Sequence, residues 1–182
     1  MMEDTLILKK FADERTRDEA FTQLLKKYQQ KIYWHVRRLV IDHDDADDLV
    51  QDIFIKVWKN LESFREDAQL YTWLYRIATN ECITFLNRKK QRQNISLDDD
   101  NSAYLADALT DPTYFNGNQA QLKLQEALLT LPEKQRLVFN MKYFDDLKYE
   151  EISEIVGTSV GALKASYHLA VKKIEQFFET HD

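Results

Sequence analysis

Asp44 to Leu61 reads D-D-A-D-D-L-V-Q-D-I-F-I-K-V-W-K-N-L, and this stretch decides the fold. Leu49, Ile53 and Val57 recur every four residues, with Val50, Phe54 and Trp58 one step over. That is the period of an α-helix with one broad apolar side, which must be buried. Asp44 or Asp45 can cap the helix by accepting from free backbone N–H groups, and the acids behind them favour the positive end of the helix dipole. The opposite face carries Asp48, Gln51, Asp52, Ile55 and Lys59. An aliphatic residue among acids and an amide can be a docking surface. It can also be a solvated face with one stray Ile, and periodicity alone favours the solvated face.

The pattern extends along the chain. Among 182 residues there are three Gly and two Pro, 31% are charged, and apolar residues recur at helical spacing nearly everywhere, so an all-α fold is expected. No run is long enough to span a membrane, and the N-terminus M-M-E-D-T-L-I-L-K-K lacks the form of a secretory signal. A lone Cys82 permits no internal disulfide and suits a reducing, cytoplasmic setting, where it reads as a small buried hydrophobe. His35, His43, His168 and His181 show no metal-ligand spacing. With no nucleophile–base pair, metal cluster or phosphate loop, neither an enzyme nor a cofactor is expected. The net charge of −6 argues weakly against nucleic acid, but its distribution argues otherwise. Residues 1–92 hold 17 Lys and Arg against 16 Asp and Glu, residues 93–118 none against 5, and residues 119–182 8 against 10. The acidity is concentrated in the middle, leaving basic clusters elsewhere free to meet phosphates.

Thr5 to Phe11 predicts a short helix, and Asp18 can cap a long one to about Val40, with Lys26, Lys27, Lys31, Arg37 and Arg38 on a solvated face. After the Asp44–Leu61 helix comes a polar loop edged by Phe64, Tyr71 and Trp73, then a helix ending in Arg88, Lys89, Lys90 and Arg92. Aromatics beside a loop, followed by basic residues, are what single-stranded nucleic acid requires: rings to stack bases, cations to track phosphates. Equally, Tyr71 and Trp73 can be core and the basic run a favourable helix C-terminus. Residues 93–118, acidic and rich in Asn and Asp, predict a flexible or partly extended linker between two small helical domains. The second domain has a helix over Gln119–Leu131, then Pro132 in the first turn of another. Near its end, a short apolar-striped helix, the Gly157–Thr158 turn and Ser159 as N-cap of a second helix make a helix-turn-helix. Gly161, Ala162, Lys164, Ala165 and His168 lie off the stripe of Val160, Leu163, Tyr167 and Ala170, where a major groove would be read; Lys172 and Lys173 lie further along.

Taken together, the two halves resemble the sigma factors of bacterial RNA polymerase, in particular the small extracytoplasmic-function (ECF) group. A-D-D-L-V-Q-D-I-F-I-K-V-W (46–58) is similar to that family's core-binding segment, and F-R-E-D-A-Q-L-Y-T-W-L-Y-R-I-A-T-N (64–80) to the loop and helix that handle the promoter −10 element. L-P-E-K-Q-R-L-V-F, Y-E-E-I and G-T-S-V-G-A-L-K (131–164) are similar to its −35-reading domain. The resemblance implies a region 2-like domain at 1–92, an acidic linker at 93–118 and a region 4-like helix-turn-helix domain at 119–182. It implies that Asp47, Asp48, Leu49, Gln51, Asp52, Phe54 and Ile55 grip a coiled coil of the polymerase's largest subunit. Phe64, Arg65, Tyr71, Trp73, Arg76 and Asn80 would hold the melted non-template strand with a flipped base, and Arg88, Lys89 and Lys90 the phosphates nearby. Ser159, Gly161, Lys164, Ser166, His168 and Lys172 would approach the −35 duplex. The implied partners are core RNA polymerase, promoter DNA and an anti-sigma factor, with no insertion of the chain itself into a membrane. Two departures stand out: Ser166, Leu169 and Val171 occupy positions where the family often has Arg, and Asp146 replaces a frequent Gly. A helix-turn-helix regulator acting without polymerase and a helical protein–protein adaptor are the alternatives.

Overall fold

Asp42, rather than Asp44 or Asp45, caps the central helix of the computed structural model, accepting from the Asp45 N–H at 2.9 Å. The structure describes residues 2–65, 68–99, 102–110 and 119–181. The helix is α3, His43–Asn60. Its cap moves forward because Asp42 is the last residue with extended backbone, φ −70° and ψ 137°, which an N-cap needs. The residue before it, Ile41, ends α2 (Arg17–Val40) with φ 69°. A β-branched residue there costs roughly 1–3 kcal/mol, and complete burial of the side chain offsets it. The resulting tight turn sets α2 and α3 side by side.

Asp18 does not cap α2. Thr16 holds the N-cap position without a side-chain cap bond, because its hydroxyl donates to the Lys10 carbonyl at 2.7 Å instead. The first helix, α1, spans Met2–Phe11 and buries Ile7 and Phe11. Lys27 is drawn out of the expected solvated face: its ammonium reaches Glu3 and Asp4 of α1, each at 2.8 Å. A 3-10 turn at Leu61–Ser63 follows α3, and α4 runs over Leu70–Arg92. Buried Leu49, Ile53 and Val57 of α3 meet Leu74, Ala78 and Cys82 of α4 and Ile32 and Val36 of α2 in one core. The Cys82 thiol is fully buried and burial pushes its pKa up, so the residue is the inert apolar filler its composition suggested.

The C-terminal half holds α5 (Gln119–Leu129), α6 (Glu133–Phe139), α7 (Tyr149–Val156) and α8 (Val160–Thr180). Pro132 takes the N-cap of α6, one place ahead of its first turn. Between α6 and α7 the chain makes a π-helical turn, Asn140–Phe144. One apolar cluster, with Leu128, Leu131, Phe139 and Ala170, belongs to this half. Others of its residues, Met141, Leu147, Ile152 and Ile155, extend the core of α2–α4. Of the acidic segment, 111–118 lies outside the described residues. Ala103–Thr110 is a 3-10 helix with Leu105 and Leu109 buried, so this stretch is folded against the core rather than extended. The described residues are helical or irregular, with no strand among them.

Candidate functional sites

The outward side of α3 presents Asp47, Asp48, Gln51, Asp52 and Ile55 to solvent. Ile55 is 53% exposed, a large apolar side chain with Gln51 and Asp52 one turn before it and Lys59 one turn after. Leu49 and Phe54, grouped with these residues at first, belong to the opposite side: both are buried in the core, because their positions fall on the apolar stripe. Phe54 still shows an edge in a shallow groove with Phe21, Leu25, Val50, Ile55 and Trp58. The groove is firm, since Trp58 packs edge-on against Phe11 and Phe21 with ring centroids 5.2 and 4.9 Å apart.

Beside α3 the chain turns into the aromatic loop. Phe64 and Trp73 lean on each other, centroids 5.2 Å apart and planes tilted by 56°. Both rings, with Tyr71, are half-buried. The two readings of these aromatics are therefore joined: one edge completes the core and the other is open. Trp73, Arg76 and Asn80 follow at i, i+3 and i+7 on α4, so they share a face, with Asn80 and Arg65 exposed. Glu66 and Asp67 of the loop lie outside the described residues.

The basic end of α4 divides. Arg88 and Arg92 are exposed, whereas Lys89 is half-buried and paired with Asp45 at 3.1 Å. Lys90 leaves the phosphate-facing group altogether. It is 1% exposed, paired with Glu133 at 2.9 Å, and it donates to the Asp99 carbonyl. A buried ammonium needs such partners, and α6 and the segment after α4 supply them.

In the C-terminal half, Gly157 has φ 70° and its N–H bonds to the Ser153 carbonyl at 2.9 Å. Ser159 then caps α8 by accepting from the Ala162 N–H at 3.3 Å. Ile152, Ile155 and Leu163 fix the angle between the helices from within. Gly161, Ala162, Lys164, Ala165 and His168 stand exposed at the start of α8, with Lys172 further on. Lys164 lies over the Tyr149 ring at 5.8 Å. Ser166 is half-buried, turned from this face because it falls between the apolar stripe and the exposed residues. Asp146 adopts φ 51°, the left-handed conformation that the frequent Gly would take, and Asp tolerates it.

Sequence reasoning missed a buried polar seam between the halves. His35, fully buried, meets Asp145 through Nδ1 at 2.9 Å and Thr79 through Nε2 at 2.9 Å. Arg38 pairs with the same Asp145, and Arg136 donates to the Leu39 carbonyl at 3.2 Å. One signal was available: His35 falls among Ile32, Val36 and Leu39, and a polar residue in an apolar stripe demands a partner. Among the described residues no group of three His, Cys, Asp or Glu could hold a metal, and no helix is long and apolar enough to cross a membrane.

Residues 24–92 match the family model Sigma-70 region 2, and residues 121–174 match Sigma-70, region 4. The chain belongs to the sigma-70 family, as a sigma factor of the ECF type. It is 31% identical over 157 residues to the ECF RNA polymerase sigma factor SigW of Bacillus subtilis (strain 168), covering 82% of this chain and 84% of that one. It is 33% identical over 172 residues to the ECF RNA polymerase sigma-E factor of Escherichia coli (strain K12), covering 86% and 85%. Two solved structures share the fold. The sigma factor RpoE in complex with the anti-sigma factor NepR from Bartonella quintana aligns with a TM-score of 0.68 at 21% identity, covering 89% of this chain and 98% of that one. CnrH in complex with the cytosolic domain of CnrY aligns with a TM-score of 0.70 at 21% identity, covering 99% of each. As an ECF sigma factor, the chain binds core RNA polymerase and directs transcription from promoters.

Proposed function

We propose that this sigma factor divides its work among three surfaces carried by two domains, residues 1–92 and 119–182, with 93–118 between them. The strip on α3 grips a coiled coil of the polymerase's largest subunit through Asp47, Asp48, Gln51, Asp52 and Ile55, with Phe54 and Leu49 supporting it from beneath. The aromatic loop and α4 capture the melted non-template strand of the −10 element. Phe64, Tyr71 and Trp73 supply rings, Asn80 and Arg76 supply hydrogen bonds, and Arg65, Arg88 and Lys89 meet phosphates. A base read on its pairing edge must first leave the stack, so a pocket beside half-buried rings is the chemistry required. The start of α8 approaches the −35 duplex through Ser159, Gly161, Lys164 and His168, with Lys172 near phosphates and Ser166 at the margin. That face is lightly charged and binds weakly alone. Joining two weak readers through polymerase raises their effective concentration on DNA. The acidic segment threads the polymerase's active-site cleft and RNA exit path, its charge imitating nucleic acid.

The observation that carries this reading is Ile55, exposed among acids on a face that the fold does not use. The setting is the cytoplasm, where polymerase acts, with an anti-sigma factor as regulator, as NepR is for RpoE in the Bartonella quintana complex. Run-off transcription with bacterial core polymerase tests the scheme. Trp73→Ala and Asn80→Ala should cut promoter opening more than core binding; unchanged run-off from both refutes strand capture.

A further inference from the structure

The seam between the halves uses charged groups that none of the three surfaces needs. The side chain of Asp145 is 3% exposed, and its carboxylate receives His35 Nδ1 on one oxygen and the Arg38 guanidinium on the other. Arg136, 2% exposed, reaches the Arg38 and Leu39 carbonyls at 3.4 and 3.2 Å, groups that the end of α2 leaves without helical partners. The backbone is shaped to deliver Asp145. The π turn adds a residue, so the Asp145 N–H bonds to the Asn140 carbonyl at 3.2 Å, and Asp146 at φ 51° then reverses the chain into α7. Extra residues and positive φ both cost energy and persist where the surroundings hold them.

We propose that Asp145 is the catch of a closed state, holding the C-terminal half against α2 and α4 until polymerase pulls the halves apart. The need to open rests on the function proposed above. A closed chain of this length has a radius of gyration of about 16 Å and so measures about 40 Å across. The −10 and −35 elements lie about 25 base pairs apart, or about 85 Å of duplex at about 3.4 Å per step. A closed chain cannot touch both, whereas residues 93–118, once drawn out, reach about 85 Å. The strip on α3 stays exposed in the closed state, so docking can precede opening. The carboxylate is the point of control. Without it, the His35 ring and the Arg38 guanidinium lose the charge they share, and the buried seam loses its reason to exclude water.

Cys82 reports on the catch without any engineered label. It is the single thiol of the chain, fully buried, and it lines a cavity under α6 with Arg136 and Leu137. The full-length protein, Asp145→Asn and Arg38→Gln are each reacted with Ellman's reagent under native conditions, with X-ray scattering in parallel and far-UV dichroism to check helix content. With helix content retained, both variants should label at least about tenfold faster, equivalent to about 1.4 kcal/mol, and scatter with a larger radius of gyration. Lys164→Ala, remote from the seam, should label like the parent. A folded Asp145→Asn with the parent's labelling rate and radius overturns the proposal, as does a Lys164→Ala variant that labels equally fast. If Asp145→Asn loses its helices, Arg38→Gln decides by the same two measurements. Neither measurement involves polymerase or DNA, so a chain inactive in run-off transcription refutes the functional reading and leaves the catch to be judged on labelling alone.

Discussion

The outer face of α3 and the seam between the halves are both built from charged side chains, and they serve opposite ends. Asp47, Asp48 and Asp52 stand in water on the same side of α3 as the exposed Ile55, and Asp47 meets His43 one turn back at 3.4 Å. Asp145, Arg136 and Lys90 are as charged but nearly sealed, each tied to a partner distant in sequence. An exposed acid costs little to keep and is available to another protein. A buried charge is expensive unless paired, so its loss is felt by the fold first. The same residue types thus divide into an exposed surface, which we propose meets polymerase, and a fastening within the chain.

The sharpest way to break this comparison is Arg136→Ala. It strips the end of α2 of its donor and leaves buried carbonyls unmet, and should cost about 1–3 kcal/mol of stability. A denaturant titration measures it; a loss under about 1 kcal/mol means the seam is solvated and the contrast false. Next in size is the reverse experiment, Asp48→Lys with Asp52→Lys. Stability should stay within about 0.5 kcal/mol, because both carboxylates are exposed. Affinity for core polymerase should fall more than about tenfold, or about 1.4 kcal/mol. Equal affinity would return α3 to the solvated reading.

How much of this could be read from residues alone follows the range of the forces involved. The helices were legible because their apolar periods are local: Leu49, Ile53 and Val57 point inward as their spacing requires. The turn at Gly157 and the Ser159 cap were legible for the same reason, since a positive φ and a free N–H are needs met within three residues. Other caps were misplaced by a residue or two. Asp42 outcompeted Asp44 because Ile41 forces the turn, which depends on how α2 and α3 pack rather than on acid content. The seam was least legible. His35 and Asp145 are 110 positions apart, and charge patterning cannot show that a lysine such as Lys90 will be roofed over by α6. Lys90 beside Arg88 reads as one basic patch; the fold makes them unlike.

That neighbouring pair gives a smaller and more selective prediction. Arg88 is exposed toward the C-terminal end of α4, so Arg88→Ala should weaken promoter binding by holoenzyme modestly and reduce its salt slope by about one. Lys90→Ala should leave the slope unchanged and lower the melting temperature instead, because its charge is spent on Glu133. Titrating holoenzyme binding against salt separates the two, and slopes equal to the parent's for both variants would mean that neither lysine nor arginine meets a phosphate.

The smallest expected effect bears on α8. A Cβ built on Gly161 meets nothing within 4 Å, and the residue does not need a positive φ. Neither turn nor packing therefore requires glycine there, and Gly161→Ala should stabilise the helix by about 0.5–1 kcal/mol. If that position faces the −35 duplex, the added methyl enters the groove with no room prepared for it, and a promoter that depends on its −35 element should be transcribed less while a promoter with only a strong −10 element is not. A more stable protein with weaker −35 use identifies a contact, because a structural role would move both in the same direction. A more stable protein with unchanged use of both promoters removes Gly161 from the reading face and leaves Lys164 and His168 to carry it.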